Sequence, residues 1–212
     1  MNTEEKTISY QATNTYSTLN NLNQNTKNVW LVFHGIGYLS RYFIRLFDSL
    51  DKEENYIIAP QAPSKYYKGE DYRKVGSGWL TKENTKPETE NVLRYIDSIV
   101  ETENIPKNLN LIVLGYSQGV SIASRWIAKR KIKCDAFVII SGGFPKELHK
   151  EDFEFLGKKT KITHILGEKD PYFEISKVEA EKERVQQILP KIEFRVHKGG
   201  HELNIETLKN IV

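Results

Sequence analysis

Leu111-Ile112-Val113-Leu114-Gly115-Tyr116-Ser117-Gln118-Gly119-Val120 decides how this chain is read. An apolar, strand-sized run leads into Gly-x-Ser-x-Gly, and a helix-compatible segment extends from there to about residue 130. A strand that turns at once into a helix strains the residue at the bend. It also brings the two backbones so close that little beyond glycine fits two positions to either side. Gly115 and Gly119 meet that demand. The turn lifts the Ser117 hydroxyl off the carboxyl edge of a sheet, and the Gln118 N–H at the helix start points to where an oxyanion would sit. Ser77 and Ser141 lack this glycine spacing, so Ser117 is the candidate nucleophile. The rival reading is a chance pentapeptide in an ordinary loop, and it leaves both flanks unexplained.

A serine hydroxyl is a poor nucleophile near neutral pH unless a base takes its proton and an acid holds that base. The chain has five histidines. His164 falls inside a predicted strand and reads as a packed core residue, His149 lies in a charged segment, and His197 ends a strand. His201 follows Gly199-Gly200 in a loop beyond the last strand, where an edge-presented base belongs. For the acid, Asp170 follows a strand over 162–166 in Gly167-Glu168-Lys169-Asp170-Pro171, with Glu168 the nearest rival; an aspartate before proline is also an ordinary turn residue. His197 and His201 are four apart, but the glycines between them argue against a helical zinc pair, and there is no His-Glu-x-x-His pattern. Neither a metal nor an organic cofactor is expected.

Outward from the serine block, short apolar runs over 29–33, 56–59, 109–114, 136–140, 162–166 and 192–196 alternate with helix-length amphipathic segments, as in a mostly parallel sheet covered on both faces. Leu39, Tyr42, Phe43, Leu46, Phe47 and Leu50 lie on one helical stripe. Pro87, Glu88 and Glu90 suit the first turn of a helix carrying Val92, Leu93, Ile96, Ile99 and Val100. A weaker stripe of Ile175, Val178, Val185 and Ile188 predicts a solvent-facing helix over 172–189. Residues 7–10 and 15–19 alternate at period two and predict an antiparallel hairpin on the sheet edge. The first core strand ends in Val32-Phe33-His34-Gly35-Ile36-Gly37, a glycine-bracketed turn that can expose the Ile36 N–H as a second oxyanion donor, with His34 structural. A nucleotide-binding reading of Gly35-x-Gly37 is weak, because the next strand ends Ile58-Ala59-Pro60-Gln61 without the acid that would hold a ribose.

The composition fits this plan. A chain of 212 residues, 39% hydrophobic and 28% charged, suits a single globular domain spanning 1–212. No apolar run approaches the roughly 18 residues of a membrane span. The start Met1-Asn2-Thr3-Glu4-Glu5 lacks a secretory pattern and Cys134 is the only cysteine, so a cytoplasmic location is expected. With 31 Lys+Arg against 28 Asp+Glu, interspersed, there is no nucleic-acid footprint. The basic run from Lys129 to Lys133 complements a helix's carboxyl end. Oligomeric state and physiological substrate are not legible.

At four blocks the sequence resembles the carboxylesterase, phospholipase and acyl-protein thioesterase branch of the α/β-hydrolases: His34-Gly35-Ile36-Gly37, Gly115-Tyr116-Ser117-Gln118-Gly119, Gly167-Glu168-Lys169-Asp170 and Gly199-Gly200-His201. Ser117, Asp170 and His201 also follow the chain order of that fold. The resemblance implies an α/β-hydrolase fold, with Ser117 as nucleophile, His201 as base, Asp170 as its orienting acid, and Ile36 and Gln118 as oxyanion donors. It further implies a small-molecule acyl ester or thioester as substrate. Tyr38 stands where that branch commonly has an aspartate, and Trp79-Leu80 where it has Trp-Phe. The long segment over 61–86 carries Tyr66, Tyr72 and Trp79 among lysines and arginines. Trp79 and a tyrosine are expected to wall the substrate site, with the basic residues favouring an anionic substrate. The alternatives are an acyl-protein thioesterase, a lysophospholipase, an acyltransferase, and a catalytically idle hydrolase-fold binding protein.

Overall fold

A computed structural model describes residues 2–172, 175–208 and 211. Strands β2 (Asn28–Phe33), β3 (Asn55–Pro60), β6 (Asn110–Tyr116), β7 (Ala136–Ile140), β8 (Lys161–Gly167) and β9 (Ile192–His197) pair in parallel. With β1 (Tyr16–Leu19) at one edge they form a seven-stranded sheet in the order β1-β3-β2-β6-β7-β8-β9. Every residue of β2, β3 and β7 is buried, which is why these strands read as continuous apolar runs. Side chains alternate between two cores. Val29, Leu31 and Phe33 join a cluster with Val92, Ile96, Trp126 and Val185, while Trp30 and Val32 face Phe43, Phe47, Leu208 and Ile211.

Helices α2 (Thr85–Glu103), α3 (Gln118–Arg130) and α4 (Ile175–Ile188) contribute to the first core. Within α4, Val185 and Ile188 are buried; the side chains of Ile175 and Val178 lie outside the described residues. On the opposite face the expected helix over 39–50 is only a short α1 (Ser40–Phe43) continued by a 3₁₀ turn (Ile44–Phe47). The tighter repeat keeps Ile44 and Phe47 inward and leaves Tyr42 and Leu46 exposed, so the stripe is split.

The antiparallel edge is present with a different partner from the hairpin read in the sequence. β1 pairs with β3, Tyr16 opposite Pro60 and Leu19 opposite Ile57, and residues 7–10 form no strand. An isolated two-stranded ribbon is marginal in water, whereas docking on β3 adds 16–19 to a large buried sheet. The 61–86 segment is not a plain loop. It contains β4 (Ser64–Lys68) and β5 (Lys74–Gly78), an antiparallel hairpin forming a second, two-stranded sheet.

Candidate active site

Ser117 sits between the last residue of β6 and the first of α3 with φ 53° and ψ −121°, a conformation unfavourable for any side-chain-bearing residue. The approach demanded of the flanking glycines is tight. A Cβ on Gly119 would lie 2.0 Å from the Phe33 carbonyl oxygen, and one on Gly115 2.6 Å from the Val120 Cα. The strain at Ser117 is held in place by its own backbone: its N–H donates to the Ile140 carbonyl at 2.8 Å, and its carbonyl accepts from the Val120 N–H at 3.0 Å.

Three of the residues named from sequence meet here. The Ser117 hydroxyl is 2.9 Å from His201 Nε2, and His201 Nδ1 is 2.7 Å from Asp170 Oδ2. The Asp170 carboxylate is inaccessible to solvent and its other oxygen accepts from the Tyr172 N–H at 3.0 Å. A buried carboxylate facing Nδ1 selects the tautomer with the proton on that nitrogen, which leaves Nε2 free to accept from the serine. The loops carrying Asp170 and His201 are tied together, with the Glu168 N–H donating to the His197 carbonyl at 2.8 Å and the Lys169 N–H to the Gly199 carbonyl at 3.0 Å. The Tyr116 hydroxyl donates to the His201 carbonyl at 2.8 Å, and the Tyr172 ring lies edge-on to the imidazole at 4.7 Å. Burial raises the Tyr116 phenol above its usual range, so it stays a donor. The contribution of these two tyrosines is not legible in the sequence; the only pointer to Tyr116 is its position immediately before the serine.

The loop after β2 passes over the serine. A Cβ on Gly35 would come within 3.1 Å of the Ser117 Cβ, so Gly35 permits the approach. The Ile36 amide has no hydrogen-bond partner among the described residues, and the Gln118 amide is the first of the unpaired N–H groups that open α3. His34 is buried beneath this loop. One nitrogen is 2.8 Å from the Gly35 carbonyl and the other accepts from the Ala62 N–H at 3.2 Å, the pattern of a neutral imidazole donating to Gly35. Burial holds its pKa down to about 4, in keeping with that state.

The Gln118 side chain braces a different segment from its backbone amide. Its oxygen accepts from the Trp79 N–H and its nitrogen donates to the Leu80 carbonyl, both at 2.8 Å. Trp79 itself corrects an expectation. It does not wall the site; it is 0% exposed, edge-on to Phe33, with its indole N–H donating to the His34 carbonyl at 2.7 Å. A large indole whose only polar group finds a buried carbonyl gains more from the core than from a wet pocket. Tyr66 lies beside the loop after β2, its hydroxyl 3.6 Å from where a Gly37 Cβ would stand. Tyr72 is packed on Tyr67 at 5.3 Å instead, and is largely exposed. Ser77 and Gln61, which belong to no sequence motif, anchor the loop from below. The Gly37 N–H donates to the Ser77 carbonyl at 2.8 Å, the Ser77 hydroxyl donates to the Tyr38 carbonyl at 2.7 Å, and Gln61 Nε2 donates to that hydroxyl at 2.6 Å. Among the described residues no group of three or more His, Cys, Asp or Glu is placed to hold a metal ion.

Residues 14–212 match the family model described as Phospholipase/Carboxylesterase. The chain belongs to that family. As a member of the phospholipase/carboxylesterase family it is a hydrolase of the esterase type. Among solved structures it is similar to Zea mays acyl-protein thioesterase 2 (14% identity, TM-score 0.68, covering 93% of this chain and 96% of that one). It is also similar to a phospholipase/carboxylesterase from Dyadobacter fermentans DSM 18053 (20% identity, TM-score 0.67, 95% and 97%) and to the Bacillus cereus carboxylesterase (14% identity, TM-score 0.62, 92% and 89%). At these identities the likeness is one of fold. Compared by sequence with curated proteins, the chain has no significant match. Tyr38 packs its ring against Phe43 at 5.7 Å and Tyr116 at 6.0 Å, joining the loop after β2 to the residue before the serine.

Proposed function

We propose that this phospholipase/carboxylesterase family member cleaves carboxylic esters through an acyl-enzyme on Ser117, with His201 as general base and acid and Asp170 holding the imidazole. The observation that carries the proposal is the unbroken relay of 2.9 Å from serine oxygen to Nε2 and 2.7 Å from Nδ1 to a buried carboxylate. In the first half-reaction, Ser117 Oγ attacks the ester carbonyl as its proton passes to His201 Nε2. The negative charge that develops on the carbonyl oxygen is met by the Ile36 and Gln118 amides, and the imidazolium returns its proton to the departing alkoxide. In the second half, water attacks the acyl carbonyl as its proton passes to the same nitrogen, and the imidazolium returns that proton to Ser117 Oγ as the acyl–Oγ bond breaks and the acid leaves.

The oxyanion donors are backbone groups, so their placement depends on the supports beneath the loop, and loss of one donor raises the barrier by about 3 kcal/mol. A thioester reacts by the same steps with a thiolate as leaving group. The test is a fluorophosphonate probe followed by intact-mass measurement, alongside turnover of p-nitrophenyl esters, acyl thioesters and lysophospholipids. The expected result is a single covalent adduct that is absent in Ser117→Ala, with measurable ester turnover. A folded protein that takes up no probe and cleaves none of these substrates would overturn the reading in favour of an idle hydrolase-fold binding protein.

A further inference from the structure

The β4–β5 hairpin turns one defined face to the donor loop. In its register Ser64 opposes Gly78, Tyr66 opposes Gly76 and Lys68 opposes Lys74, so these pairs share a face while Lys65 and Tyr67 lie on the other. The loop occupies the space that a side chain at residue 76 would need, since a Cβ on Gly76 would be 2.9 Å from the Gly37 Cα, and it lines the face at Gly78, where a Cβ would make ordinary contact with the Ile36 side chain at 3.7 Å. One step further along the same face, the Lys68 ammonium reaches the Gly37 carbonyl at 3.5 Å. Chain geometry then puts that ammonium within about 10 Å of the Ile36 amide.

Lys74 stands directly opposite Lys68, an arrangement that is unfavourable for like charges unless an anion lies between them. Among the described residues no carboxylate pairs with either lysine. Of the two acids in the turn, Asp71 is engaged locally, accepting from the Arg73 N–H at 3.3 Å and standing 3.9 Å from its guanidinium, and Glu70 is exposed.

We propose that Lys68, Lys74 and the Tyr66 hydroxyl form an anion subsite on the rim beside the oxyanion loop. The preferred substrate is then an ester whose acyl or alcohol part carries a carboxylate or phosphate group close to the scissile carbonyl. This inference rests on the serine-esterase reading and deepens it by naming the substrate class.

The experiment compares kcat/KM for three esters of matched length: p-nitrophenyl hexanoate, p-nitrophenyl hydrogen adipate, and the ω-phosphonate analogue. At low salt the anionic esters are expected to be preferred by about tenfold or more, with the preference shrinking as ionic strength rises. The ratio between the two anionic esters distinguishes carboxylate from phosphate. Lys68→Glu and, separately, Lys74→Gln are expected to lower the anionic-to-neutral ratio, the charge reversal more strongly. Both positions are exposed, so folding is not at stake. Turnover of the neutral ester at least as fast as both anionic ones, unmoved by Lys68→Glu, overturns the subsite and leaves the esterase reading standing. Failure of folded protein to cleave any ester overturns both.

Discussion

Asp170 accepts two hydrogen bonds through different oxygens, and this makes its replacement informative. In Asp170→Asn the carbonyl oxygen goes to the Tyr172 N–H and the amide nitrogen faces His201 Nδ1. The imidazole is then driven to carry its proton on Nε2, where it cannot accept from Ser117. The expected loss in kcat is about 10⁴-fold with little change in thermal stability, measured by steady-state kinetics and a melting curve. Ser117→Ala should lose at least as much. Gly119→Ala tests the local geometry instead. Its Cβ would occupy the position of the Phe33 carbonyl, so the variant is expected to fold poorly or to lose activity with a lowered melting temperature. At this scale the sequence was highly legible. The same steric demand that places glycine at 115 and 119 is written in the pentapeptide, and a base and an acid have few candidate positions in a chain with five histidines.

The strands were readable at the scale of the element because those covered on both faces must be apolar nearly throughout, and β2, β3, β6, β7 and β8 lie within two residues of the predicted runs. The elements that sequence patterning did not yield are those whose side chains are exposed or whose partner is remote. All five residues of β4 are exposed, so no apolar alternation marks it, and β5 owes Gly76 to the loop it packs against. The hairpin therefore supports the donor loop as a unit. Gly76→Ala would push it away from Gly37, and the loop would shift with it. The expected outcome is a fall of about tenfold or more in kcat/KM for a neutral ester, with a small change in urea midpoint because the hairpin stands outside the two main cores. Equal losses in stability and activity would show that the hairpin is structural only. Trp79 belongs to the same lesson, since a tryptophan in a long polar segment reads as a pocket wall until the His34 carbonyl beneath it is seen to claim its N–H.

For the whole molecule, two buried histidines contribute to the response to acid. His34 and His164 are both held down to about 4, chiefly by burial, and both ring nitrogens of His164 lack a partner, with Glu181 and Lys182 as its nearby charges. An unfolded histidine takes its proton near pH 6.5, so as pH falls the unfolded chain binds protons before the folded one does. The stability from each is therefore complete above about pH 6.5 and is lost as pH falls toward about 4. Between pH 7 and pH 5 the loss is about 2 kcal/mol per histidine. Urea titrations at the two pH values check this, and His164→Leu is expected to halve the pH dependence. An unchanged difference in that variant would assign the acid response elsewhere.

What the chain by itself determined are the properties that depend on neighbours in sequence: the apolar strands, the strained turn at Ser117 with its flanking glycines, and the positions of Asp170 and His201 in loops after strands. Only the tertiary structure decided which strand pairs with residues 16–19, that Trp79 is core, and that a hairpin with opposed lysines lies against the donor loop. These last depend on surfaces brought together from distant parts of the chain. No local pattern encodes them, because the space, the hydrogen-bond partner or the opposing charge that selects each one is supplied by a residue far away in sequence.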